Sequence, residues 1–395
     1  APGRVSSHMN GGQFSYSYAE PLASPAIPRQ LPAMLAGRHA GVKIKAASFP
    51  QVLPWGLRFF HNCDTAKFIE NTKTVLRLAQ LSRAEMGRYV SLQGADFNFR
   101  QTGKLHLYRE PKQLQRLSSL VELKNGLGFR QEILHREQCL IKEPALRNYR
   151  GSFAGGIFSP LDQSGDTFKL IQILQDVCLR TGHCEILTDV EVQGFKAKHE
   201  HISCVETSNG ELSGDAYVLC TGAASSHLLR KLGTKLPIVP VKGYSITVPA
   251  LPQAPDINLT DMQNKIVFCR LGDNLRVAGL MEFAGQNLQV QQRRVDQLVV
   301  LAKKVLPLAG EYNKLASSWA GLRPMTPDGV PLIGPIRWQN LWLNAGHGML
   351  GSTLAFGSAR LIADLLEGVD SPLDRTAYQL DRFESSDKRW KLAIG

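Results

Sequence analysis

Asn340-Leu-Trp-Leu-Asn-Ala-Gly346-His347-Gly348-Met-Leu350-Gly351-Ser-Thr353 leads from an apolar run through a glycine-rich turn into a helix. Leu341–Leu343 reads as a short strand. Leu354, Ser358, Leu361, Ile362 and Leu365 then form one stripe at helical spacing, and Gly368 suits the C-cap. Glycines let a backbone approach a ligand closely, and a helix start offers free N–H groups and a positive dipole end. This is strand–turn–helix punctuation, the mark of an α/β fold. The same residues also suit a turn that binds nothing. His347 alone reads more readily as a structural histidine than as a base.

Immediately upstream lies Trp319-Ala-Gly-Leu-Arg323-Pro-Met-Thr326-Pro-Asp328-Gly329-Val-Pro-Leu-Ile-Gly334. Thr-Pro-Asp-Gly suits a type I turn. Arg323 is fixed between an apolar run and a proline. A guanidinium is the natural bidentate partner of a carboxylate, and the alternative is a structural ion pair. Further upstream, the apolar run Ala216–Cys220 enters Thr221-Gly222-Ala-Ala, a second strand-to-helix turn. Near the start, Asn10-Gly11-Gly12-Gln13 places two glycines between amides, as a ligand-facing loop or an ordinary turn does.

The rest of the chain fits around these segments. Asp64 to Arg88 has helical spacing, and Ser164-Gly-Asp166 caps a second helix ending near Gly182. Glu185–Leu187, Val190–Val192 and Ile202–Thr207 alternate as strands, the last followed by a turn at Asn209-Gly210. Tyr244–Val248, Lys265–Cys269 and Leu275–Leu280 read as strands, and Gln291–Val305 as a helix. Residues 1–50 read as extended, with regular spacing only near Leu31–Leu35. The alternation of character predicts two domains, each built from non-contiguous pieces: 1–50, 151–236 and 318–395 in one, 51–150 and 237–317 in the other.

At 395 residues and 43% apolar, the chain is long enough for two cores. Its net charge of +12 suits a basic soluble protein or a membrane-surface one. No dense basic run carries interleaved aromatics, so nothing points to nucleic acid. The seven cysteines form no CxxC pair and suit a reducing, cytoplasmic compartment. No apolar stretch of about eighteen residues stands out as a membrane span.

Taken together, the segments resemble the D-amino acid dehydrogenase (small subunit) family, within the FAD-dependent D-amino acid oxidase and glycine oxidase superfamily. The likeness runs over nearly the whole chain. It is most specific at Trp319–Gly334 and Asn340–Thr353, with further matches at Asn62-Cys-Asp-Thr65, Glu70-Asn71, Gly165-Asp166 and Pro240-Val-Lys-Gly-Tyr-Ser245. The resemblance implies a Rossmann-like FAD domain interleaved with a mixed-sheet α+β substrate domain. It implies that Gly346, His347, Gly348, Leu350, Gly351 and Thr353 hold the flavin, and that Val190 meets the adenine end through its backbone. Thr221 and Gly222 match a second flavin-side turn, and Asn10, Gly11, Gly12 and Gln13 match the loop past the flavin ring. Arg323 matches the arginine that clamps the substrate carboxylate, with Tyr244 as a further active-site candidate. Family members begin with a strand and a GxGxxG turn that hold the ADP half of FAD, and this sequence contains neither. The expectation is that one βαβ unit comes from a longer or partner chain, and that this polypeptide alone binds FAD weakly.

The activity so implied is oxidation of a D-amino acid to a 2-oxo acid and ammonia, by hydride transfer to FAD. A quinone or other respiratory acceptor then takes the electrons, with the protein at the cytoplasmic face of a membrane or free in the cytoplasm. The rivals are another amine or glycine oxidase of the same superfamily, and a non-catalytic subunit that keeps the fold.

Overall fold

The computed structural model describes residues 2–29, 42–44, 49–94 and 96–383. The expected regular spacing at Leu31–Leu35 lies outside them. Among the described residues a nine-stranded mixed sheet dominates. Its order is Ser317–Met325, Val239–Pro249, Asn274–Phe283, Ile266–Leu271, Asn258–Asp261, Lys104–Tyr108, Gly155–Ser159 and Glu132–His135, with Val42–Ile44 added beside Asn274–Phe283. The middle strands are buried almost throughout because both faces are covered. Tyr244, Ile246 and Val248 turn one way, onto Val295, Leu298 and Ala302 of the helix Gln292–Val305. Gly243, Ser245 and Thr247 turn the other way, since neighbours on a strand alternate.

That second face carries a strap. Residues 6–18 cross the sheet strand by strand. Ser6 donates to the Leu322 carbonyl, Ser245 to the Met9 carbonyl and Arg276 to the Asn10 carbonyl. Gln13 then donates to the Phe268 carbonyl at 3.0 Å, and Lys104 to the Ser15 hydroxyl at 2.7 Å.

A smaller sheet pairs Tyr217–Leu219 in parallel with Leu341–Ala345, which pairs antiparallel with Leu332–Pro335. The meander Val192–Lys198, His201–Thr207 and Gly210–Leu212 packs nearby through Ile202 and Phe195. Behind the small sheet the helix Gly351–Glu367 crosses the long helix Thr65–Gln93. Gly357 makes the crossing close: a Cβ there would stand 2.6 Å from the Leu78 carbonyl oxygen. Asp64 caps the long helix by accepting from Ala66 and Lys67 N–H, and Gly94 ends it in a left-handed conformation.

Mixed α/β architecture is therefore as expected, while several boundaries move. Gly155–Ser159 and Ser317–Met325 belong to the large sheet, not to the ranges beginning at 151 and 318. The helix Thr65–Gln93 packs with Phe14, Tyr16 and Leu354, away from the large sheet's helix-covered core. Glu185–Leu187 forms no strand, because the alternation there faces solvent, with Leu187 half exposed. Gly348–Glu367 does reach the length and hydropathy of a membrane-spanning helix. Its apolar stripe, with Leu354 and Leu361 fully buried, faces the protein core.

Candidate active site

Two parallel strands end side by side, Leu219 opposite Leu343, and each runs into a glycine turn and a helix. After Tyr217–Leu219 come Cys220 and Thr221, then Gly222 at φ 56° and the helix Ser225–Lys231. After Leu341–Ala345 come Gly346 at φ 81° and Gly348 at φ 57°, then Leu350 and the helix from Gly351. Carboxyl ends of adjacent parallel strands, facing helix starts, are where α/β sheets hold ligands. At Gly346 only glycine suits both the left-handed backbone and the space, since a Cβ would meet Thr326 at 2.8 Å.

The strap closes over these helix starts. Asn10 Oδ1 accepts from Gly12 N–H at 2.9 Å, while Asn10 Nδ2 donates to Thr167 at 3.0 Å and to Ser352. Ser15 N–H donates to Thr353 Oγ1 at 3.0 Å. Thr167 and Ser352 each sit in the first turn of a helix, so two positive dipole ends converge beside Asn10–Gly12. Arg276, buried beneath, donates to the Asn10 carbonyl at 2.9 Å and to Thr247 at 2.7 Å. This corner favours negative charge. Arg276, Thr167 and Ser352 were not among the sequence candidates. A lone arginine inside the apolar strand Leu275–Leu280 was the available signal, because a buried charge needs a reason.

Arg323 stands at the sheet edge that meets the glycine turn. Two residues on, Met325 bridges to His347. Arg323 lies over Gly243, where a Cβ would come within 2.3 Å of Nη2, and Trp319 lies likewise over Gly321. Gly243 and Gly321 are cross-strand partners, so the guanidinium and indole share one glycine floor. Opposite Gly243 the neighbouring strand bulges, since Gly279 pairs with Tyr244 but Glu282 with Lys242. Leu280 in that bulge has φ 59°, and its carbonyl accepts from Arg323 Nη1 at 3.2 Å. Strain of that kind is retained where a site needs it. Burial lowers the Arg323 pKa to about 10, and the group stays charged at neutral pH. Among the described residues no carboxylate pairs with it.

Tyr244 is corrected. It faces the opposite side of the sheet, in the core, with its hydroxyl donating to Glu282 at 2.8 Å. Strand alternation, which separates 243 from 244, makes the two faces exclusive. Val190 follows left-handed Asp189 just before the meander.

His347 Nε2 lies 2.9 Å from Ser358 Oγ, and burial pushes its pKa down to about 4. His106, stacked on Tyr18 at 4.0 Å, is held well below the usual range by burial and then by Lys104 and Lys124. Both rings are neutral when folded at pH 7, and unfolded they titrate near 6.5. The unfolded chain therefore binds more protons as pH falls below 6.5, and the stability present above that pH is lost toward pH 4. Asp162, pushed up to about 6 by burial, acts oppositely between its ordinary 3.8 and that value. For His347 the loss from pH 6.5 to 5 is about 2 kcal/mol. Denaturant titrations should show this slope flattened in His347→Gln, and an unchanged slope would assign the acid lability elsewhere.

The model of the FAD-dependent oxidoreductase family matches residues 1–365. The chain belongs to that family, and it is an FAD-dependent enzyme. It is 37% identical to a D-amino acid dehydrogenase of Paramagnetospirillum magneticum, over 97% of this chain and 91% of that one. A D-amino acid dehydrogenase of Vibrio cholerae is 35% identical, over 95% and 90%. Among solved structures, glycine oxidase from Geobacillus kaustophilus aligns with a TM-score of 0.73 at 21% identity, over 96% of this chain and 89% of that one. L-proline dehydrogenase from P. horikoshii aligns at 0.71 and 20%, over 79% and 84%. These two share the fold.

Proposed function

We propose that this enzyme oxidises D-amino acids to 2-oxo acids and ammonia and passes the electrons to a quinone-type acceptor. The observation that carries the reading is Arg323: a charged guanidinium with no carboxylate partner among the described residues, seated on Gly243 beside the turn at Gly346–Gly348. Residues Asn10–Gln13, Thr221, Gly222, Gly346–Gly351 and Thr353 would hold the flavin half of the cofactor. The positive-φ glycines and converging helix starts fit such an anionic, planar group. FAD, when bound, supplies the two-electron acceptor.

The protein's own part is positional. Arg323 fixes the substrate carboxylate through a bidentate contact, which sets the α-carbon's position and leaves the amine free to turn. Trp319 walls the same floor and keeps water off the α-carbon. His347, neutral and turned to Ser358, is not held as a base toward Arg323. Loss of the α-hydrogen with its electron pair, and of an amine proton to solvent, leaves an imino acid that water hydrolyses. With FAD bound, the corner at Asn10, with Arg276 beneath, would favour negative charge on the group it holds.

Incubating the FAD-loaded protein with D- or L-alanine and a soluble quinone analogue tests the reading. Acceptor reduction with the D-isomer at ten-fold or more over the L-isomer is expected. Equal rates, or turnover of glycine alone, would move the enzyme to another branch of the superfamily.

A further inference from the structure

A small cavity lies under the far end of the strap, among Tyr18, Glu20, the strand Lys104–Tyr108 and the helix Pro111–Gly126. Its polar lining includes His106, Gln131 and the buried ion pair of Lys124 with Glu20. Both ring nitrogens of His106 and Oε1 of Gln131 are buried and find no partner among the described residues. The His106 side chain has no solvent exposure at all. Buried polar atoms left open cost stability, so they mark a place where a polar group belongs. The open groups say which kind. Neutral His106 offers one N–H and one bare nitrogen, and the Gln131 oxygen can only accept. Lys124 is a cation and Glu20 an anion. The complement is a negatively charged acceptor and a positively charged donor on one molecule. Leu117, Leu120, Val121 and Ile157 set an apolar wall beside these groups.

We infer that this cavity binds a free α-amino acid as its zwitterion: carboxylate on Lys124 and His106, ammonium on Glu20 and Gln131, aliphatic side chain on the apolar wall. As it stands the cavity admits little more than a water, so the ligand enters by parting Lys124 from Glu20. Each ion then exchanges one opposite charge for another, and neither is left buried alone. This place is distinct from the Arg323 floor. The strand Lys104–Tyr108 is sixth in the sheet order and the Arg323 strand first, which puts them about 24 Å apart. The strap runs between the two. Tyr18 stacks on His106 at one end, and Asn10–Gln13 forms the cofactor corner at the other. The inference goes beyond the oxidation reading, because binding here needs neither turnover nor a choice of acceptor.

Equilibrium dialysis of the FAD-loaded Arg323→Ala protein with radiolabelled L-valine, and separately D-valine, is the test. That background lacks the catalytic clamp, so binding that survives in it is expected from the cavity. A preference for the D-isomer identifies the occupant as substrate, and equal or L-selective binding identifies it as an amino acid of the general pool. His106→Leu should weaken binding by about 10-fold or more, with Tm unchanged or raised because two open nitrogens are removed. Glu20→Gln with Lys124→Met removes both charges together and should weaken binding as much, which keeps the test decisive if His106→Leu folds poorly. Isovalerate and isobutylamine, which each keep one of valine's two charges, should bind at least ~10-fold more weakly than valine. Absence of valine binding in Arg323→Ala overturns the inference, because the catalytic site alone then holds the amino acid. Binding unchanged in the cavity variants overturns it as well, and isovalerate bound as tightly as valine removes the zwitterion assignment.

Discussion

Arg323→Ala lowers kcat/KM for the D-amino acid by about 30- to 1000-fold, the equivalent of 2–4 kcal/mol, while flavin content is kept. The carboxylate then loses its fixed charge partner on the glycine floor. Arg323→Lys keeps the charge on a flexible stem but loses the planar fork. It recovers part of the loss, mostly in KM. The assay is steady-state turnover of the FAD-loaded protein with a soluble acceptor. Near-normal kcat/KM for Arg323→Ala would remove the clamp assignment. Loss of flavin instead would put Arg323 against the cofactor.

Gly243→Ala tests the same geometry from the backbone side. The new methyl would stand 2.3 Å from Nη2 and 2.4 Å from Cζ of Arg323, so the guanidinium must move. It is the far end of a flexible side chain, and it can swing away at little cost to the fold. Stability should therefore change by less than about 1 kcal/mol, within the range of tolerated substitutions. The clamp, displaced by an ångström or more, should raise KM by about 10- to 100-fold, as misplacement of a positioning group does. Thermal unfolding and kinetics on one preparation separate the two effects. A Gly243→Ala enzyme with ordinary KM would show that substrate does not use the guanidinium where it now lies.

Much of the site was legible because its determinants are local. The turn at Gly346–Gly348 needs glycines in any tertiary context, and helix starts announce themselves by caps such as Asp64 and Asp166. Arg323 was legible for its neighbours in sequence, although its seat on Gly243 is a register fact no single segment contains. The same register defeated Tyr244. Motif membership put it near the site, while alternation turned it to the core. Arg276 was hidden because its reason lies far along the chain, at the carbonyl of Asn10. The strands Lys104–Tyr108, Glu132–His135 and Gly155–Ser159 escaped notice because they are short and joined only by distant pairing. The helices Phe49–His61, Pro111–Gly126 and Arg136–Lys142 went unread for a different reason: Pro54 interrupts the first, polar residues dominate the second, and the third is only seven residues long.

The strap has a consequence for how the chain reaches this shape. Residues 6–18 leave the ribosome ahead of the strands they lie across, and the last of those, Ser317–Met325, emerges some three hundred residues later. Until then the bed lacks its outermost strand, and the Ser6 hydroxyl lacks its Leu322 acceptor. Contacts of such long sequence separation close slowly. The cofactor corner is therefore assembled after synthesis, as the final stitch between the earliest and latest parts of the protein. An unfinished chain, however well its helices have formed, carries that corner open.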